Sequence, residues 1–141
     1  MAFFADLTPY TYWEPQDRNG RWAPDEPSPG LPLLNVGWLD ASHPFQTGAP
    51  PDELMPALTK LAKVRVRHTR GYHHCELCIR DMGDDAREAI RQGLIARESA
   101  EFRVRGHGVV YAVPQLLTHY VAAHEYLPPP EFCEAAITST S

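Results

Sequence analysis

The chain reads as a single small α+β domain built from a knuckle, a β-hairpin and a helix. Three observations predict it. Cys75-Glu76-Leu77-Cys78 is a C-x-x-C turn with two histidines directly before it, His73 and His74. The stretch from Glu101 to Val113 alternates apolar and polar residues about a Gly106-His107-Gly108 turn, the pattern of a hairpin. Leu116, Leu117, Tyr120 and Val121 recur at helical spacing on a segment that also carries His119 and His124.

Size and composition agree with one domain over residues 1–141, with an irregular part at 1–50 and a core at 51–137. Apolar residues make up 43% of the chain and charged residues 22%, as in ordinary globular proteins. Fourteen prolines exceed the usual share of about 5% roughly twofold, which predicts much irregular backbone. The formal net charge of −5 weighs against general nucleic-acid affinity. No apolar run approaches the roughly 18–20 residues that span a bilayer, so no membrane association is expected. The start, Met1-Ala2-Phe3-Phe4-Ala5-Asp6, lacks the charged and apolar regions of a secretory leader. A cytoplasmic, reducing setting is the expectation, and there C-x-x-C favours a metal over a structural disulfide.

Taken in order, residues 1–50 are rich in proline and aromatics: Phe3, Phe4, Tyr10, Tyr12, Trp13 and Trp22 come early. They suit either an irregular wrap over the core or the lining of a ligand groove. Leu33 to Leu39 is the first buried-strand candidate. Ala49 to Lys63 predicts a helix, with Leu54, Leu58, Leu61 and Ala62 on one face and Pro56 confined to its first turn. Lys63 to Arg70 alternates Val64 and Val66 with basic residues, as a short half-exposed strand would. Asp84 to Glu98 predicts a short, charged, mobile helical excursion with a narrow Ile90 and Leu94 stripe, its end weakened by Gly93. Pro114 is expected to open the histidine helix. Pro130 to Ile137 puts Phe132, Cys133, Ala136 and Ile137 on one face, so Cys133 reads as a small buried residue, its competing role being a third sulfur ligand. The tail from Thr138 is expected to fray.

Thiolates and imidazoles in these spacings are the ligand set of zinc, which takes two of each in a tetrahedron. The candidate metal ligands are therefore Cys75, Cys78, His119 and His124, with Zn2+ as the cofactor. Two histidines five apart stand about 140° from one another on an ideal helix, so they converge only where the helix tightens or ends. Pro128-Pro129-Pro130 stops any helix soon after Tyr126. The competing readings of C-x-x-C are a redox pair and two free thiols. Redox motifs of this kind open a helix after a strand in a βαβ unit, a context not read around Cys75. His119 and His124 would otherwise be ordinary polar residues of an amphipathic helix, and His107 a decoration on an exposed turn. The order of knuckle, hairpin and ligand helix resembles a treble clef.

A wider resemblance follows from Phe3-Phe4-Ala5-Asp6-Leu7-Thr8-Pro9-Tyr10, Leu34-Asn35-Val36-Gly37-Trp38-Leu39, Thr69-Arg70-Gly71 with His73 and Cys75-Glu76-Leu77-Cys78, and His119-Tyr120-Val121 with His124. Together these are similar to an uncharacterised family of short bacterial proteins. The resemblance implies a compact zinc-type domain and no particular activity. It also makes His73 an alternative ligand or a partner of one.

Two function classes follow. One is a binding module with a structural metal, whose partner would be another protein. The other is a metal-dependent hydrolase or HNH-like nuclease, which needs an open coordination position and a general base such as His73, His74 or His107. The chain lacks H-E-x-x-H, and no acidic cluster accompanies the histidines, which favours the module and leaves no catalytic residue to name. A third option is nucleic-acid binding through Lys63 to Arg70.

Overall fold

The computed structural model describes residues 3–10, 31–67 and 72–141. A three-stranded sheet forms its middle. It joins β1 (Leu33–Asn35), β4 (Glu101–Arg105) and β5 (Val110–Pro114) in the order β1-β5-β4. β4 and β5 are the predicted hairpin, antiparallel with Phe102 opposite Val113 and Val104 opposite Tyr111. Gly106 closes its turn by donating to the Val109 carbonyl at 2.8 Å, and Gly108 has φ 70°, which its missing Cβ permits. β1 runs parallel to β5 with Leu33 beside Val110.

Successive side chains on a strand point to opposite faces, and here both faces are covered. Phe102, Val104, Tyr111 and Val113 enter the main core with helices α1 (Leu54–Leu61), α4 (Leu117–His124) and α5 (Pro130–Thr140). Val110 and Ala112 face the other way, into a second cluster with Tyr10, Leu33 and Trp38. β5 is therefore buried along its whole length. The wrap expected of the aromatic segment holds for Phe4 and Tyr10. Phe4 meets the Trp38 ring edge-on at 5.5 Å, and the Trp38 indole N–H donates to the Ala112 carbonyl at 2.9 Å. Tyr12, Trp13 and Trp22 lie outside the described residues. Asp6 ties the segment down: it accepts the Gly37 N–H at 2.9 Å and the Tyr126 hydroxyl at 2.7 Å. Burial nevertheless raises its pKa above the usual carboxylate range.

Between α1 and β4 the chain makes a lobe: β2 (His73–His74), α2 (Glu76–Met82), a 3₁₀ turn (Gly83–Asp85), α3 (Ala86–Arg91) and β3 (Arg97–Glu98). β2 and β3 pair antiparallel, and the lobe's elements pack on one another. Cys75, Leu77, Ala86, Ala89 and Ile95 plug it into the main core.

Several local expectations are corrected. The Leu33 to Leu39 strand stops at Asn35 because Gly37 turns at φ 84°, and Trp38 rejoins only as a bridge to Phe4. The Lys63 to Arg70 strand reduces to one bridge, Val66 to Glu101, and Val64 is 71% exposed; His68, Thr69 and Arg70 lie outside the described residues. The helix expected within Asp84 to Glu98 is short as read, ending at Arg91 just before Gly93 at φ 72°, but its stripe differs. Its packed side is Ala86 and Ala89, small enough for close approach, while Leu94 is exposed. Pro114 ends β5 and does not open α4. The tail does not fray at Thr138: α5 reaches Thr140, whose hydroxyl donates to the Ala136 and Ile137 carbonyls. The remaining elements agree in kind, with Pro56 inside the first turn of α1 and Cys133 buried, its thiol 3.6 Å from the Pro128 carbonyl. Among the described residues, no helix is long and apolar enough to cross a membrane.

His107 is exposed at the hairpin tip. His107→Ala is expected to change stability by less than about 0.5 kcal/mol in chemical denaturation, as surface substitutions do.

Candidate metal centre

The site forms where the lobe meets α4. Cys75 is the N-cap of α2, in extended conformation, and its sulfur accepts the Cys78 N–H at 3.4 Å. The C-x-x-C segment opens a helix after a two-residue strand, but that strand pairs antiparallel with β3 and is not part of a βαβ unit. One helical turn then brings Cys78 round to the same side as Cys75.

His119 and His124 come from α4. The helix ends at His124, and Glu125 takes φ 58° as its left-handed C-cap. That ending lets two histidines five residues apart converge: their rings meet edge to face, with centroids 5.0 Å apart. Nε2 of His124 lies 3.4 Å from the Cys75 sulfur and 3.3 Å from the Cys78 sulfur. Nε2 of His119 lies 3.3 Å from the Cys78 sulfur. One ligand atom from each of the four residues falls within 4.8 Å of all the others, so the cluster is able to hold a metal ion.

The electrostatics suit a cation. Burial pushes the Cys75 thiol up to about 11, opposed by the Cys78 N–H bonded to its sulfur and helped by the charge of the Cys78 side chain. Burial lowers the pKa of His119, and the second imidazole lowers it further. Burial lowers His124 as well, with Arg80 acting in the same direction and Asp81 against it. Neutral imidazoles have a lone pair to give. The thiol is held protonated until a positive charge at the centre favours the thiolate.

The other described histidines lie outside the cluster. His73 is not in the cluster; it lines a cavity of about 20 Å³ with Trp38, Arg67, Glu98 and Glu101. His74 pairs with Arg97 in the lobe's ribbon. Cys133 is buried in α5 near the helix's start and is also outside the cluster. One residue at the site was not read from the sequence. Asp81 Oδ2 stands 3.8 Å from His124 Nδ1. Its signal was present as an acid three residues after Cys78, visible only once that segment is known to be helical.

A small α+β domain with two cysteines and two histidines gathered between a lobe and a helix defines the class: a compact domain carrying a Cys2His2 cluster that can bind metal. The chain belongs to the family described as Domain of unknown function (DUF7919), whose model matches residues 2–137. No curated protein and no solved structure matches it.

Proposed function

We propose that the cluster is a structural zinc site and that the domain is a protein-interaction module. The observation that carries this is the spacing of the four donor atoms. Zinc binds thiolate at about 2.3 Å and imidazole at about 2.0–2.1 Å, which sets sulfur and nitrogen about 3.6 Å apart in a tetrahedron. Three of the four sulfur–nitrogen separations are 3.3 to 3.4 Å, and all four donor atoms lie within 4.8 Å of one another. Two soft sulfurs and two imidazoles also match zinc better than a hard cation such as magnesium or calcium, which takes oxygen ligands. Four protein donors fill the four positions of such a site, the arrangement of structural centres. Cys75, Cys78, His119 and His124 would be its ligands, and the bound ion would supply cross-linking of the lobe to α4.

The module reading is supported by the lobe's outer surface. Tyr72 is 57% exposed, and the Arg97 guanidinium stacks on its ring at 4.4 Å. Exposed Tyr and Arg are residue types enriched in the centres of protein interfaces. The basic stretch is a weaker candidate for phosphate contact, because Arg65 is already paired with Glu98. Elemental analysis tests the metal directly: protein purified without added metal should carry one zinc per chain, and chelation should lower its melting temperature. Full stability at zero metal content would refute a structural role.

A further inference from the structure

The two nitrogens of the His124 ring face different chemistry. Nε2 points at both sulfurs, and Nδ1 points at Asp81. Asp81 comes from α2, three residues after Cys78, so one turn of one helix supplies a candidate ligand and a carboxylate directed at the facing histidine. The carboxylate is itself held. Arg80 donates from Nε at 3.0 Å and from its terminal nitrogen at 2.9 Å, both to Oδ1, leaving Oδ2 as the oxygen nearer the imidazole. The 3.8 Å separation is about 1 Å longer than a hydrogen bond. Asp81 is about half exposed, so a modest rotation of its side chain can close that gap.

We infer that Asp81 is a positioning residue for the metal centre: it accepts the Nδ1 proton of His124 and fixes the tautomer whose Nε2 lone pair faces the cluster. The inference rests on the proposed metal site and adds a residue to it. The physical reason is general. An imidazole whose far N–H is hydrogen-bonded to a carboxylate is locked in orientation and is a stronger donor, and loss of such a partner weakens metal binding about 10- to 100-fold. No such carboxylate accompanies His119 among the described residues, so the two histidines should differ in how firmly they are held.

The test uses the full chain and Zn2+ alone as the probe. Zinc affinity is measured by competition with a chromophoric chelator for wild type, Asp81→Ala, Asp81→Asn, Asp81→Glu and Asp84→Ala. Asp84 is exposed in the adjoining 3₁₀ turn and serves as the control. Asp81→Ala should bind zinc about 10- to 100-fold more weakly, Asp81→Glu should recover part of the loss, and Asp84→Ala should match wild type. Long-range nitrogen–proton NMR of the zinc-loaded wild type should show His124 protonated at Nδ1, and in Asp81→Ala that proton should exchange faster. Asp81 is on an exposed helix face, so these variants should fold. Wild-type affinity in Asp81→Ala, or unchanged exchange of the Nδ1 proton, overturns the positioning role while leaving the metal site standing. Absence of zinc binding by the wild type overturns both.

Discussion

Replacing Cys75 or Cys78 with serine is expected to abolish metal binding and to take away most of the measurable stability of the domain. In zinc-finger peptides the bound ion is worth about 10–16 kcal/mol at neutral pH, while whole domains have a net stability of only about 5–15 kcal/mol. The lobe from β2 to β3 packs largely on itself, and the cluster is where α2 meets α4. Without the ion, the core contacts of Leu77, Ala86, Ala89 and Ile95 would have to hold the lobe. The Cys75→Ser variant is a clean probe because Cys75 is an N-cap and serine is among the best N-cap residues. The start of α2 is preserved while the thiolate is lost. Cys133→Ala supplies the control. It should retain the metal and lose at most about 1–2 kcal/mol, the cost of a small buried side chain and a weak S–H contact. Thermal melts with and without zinc separate the cases. Equal melting of Cys75→Ser, Cys78→Ser and wild type would mean that the cysteines tether nothing.

The second large effect concerns the other face of the sheet. Glu101 and Arg103 are almost fully buried, 2.8 Å apart, and the Tyr10 hydroxyl donates to both Glu101 oxygens at 3.0 and 3.1 Å. Glu101→Ala takes the carboxylate away from a buried guanidinium and a buried phenol, and breaking a buried pair in this way costs about 3–5 kcal/mol. The pH dependence has a definite sign. Burial raises the pKa of Glu101 in spite of Arg103, so the folded value exceeds the unfolded value of 4.5. Its contribution to stability is then fully present below the unfolded value and declines as pH rises through the folded one. The difference between wild type and Glu101→Ala should therefore shrink as pH rises above 4.5. Protonation of the metal ligands acts on both proteins and cancels in the comparison. A difference under about 1 kcal/mol, or one that grows with pH, would count against a coupled buried network.

Local chemistry was readable in the sequence where one stretch contained the whole instruction. The hairpin is such a case, with Phe102 and Val104 alternating against basic residues and glycines on both sides of His107. The four clustered side chains are another, since cysteine spacing and histidine spacing each declare a metal-type geometry without reference to the rest of the chain. What stayed hidden depends on contacts between distant residues. The parallel pairing of β1 with β5 joins Leu33 to Val110, and nothing near Leu33 announces it. Arg103 looked like the exposed side of an alternating strand, yet Glu101 and Tyr10, 91 residues apart, make a polar pocket that buries it. The helix at Cys75 was masked by the brevity of β2, and with it Asp81. In the lobe, two alanines outweighed the larger Leu94, because close packing of α3 needed small side chains more than it needed apolar area.

One ion, in the reading proposed above, binds the lobe to α4 through Cys75, Cys78, His119 and His124. X-ray absorption at the zinc edge on the full chain measures that ligand shell directly. Two sulfurs at about 2.3 Å and two imidazole nitrogens at about 2.0–2.1 Å are expected, with no further oxygen. A shell with fewer than two sulfurs, or one completed by water, would contradict it.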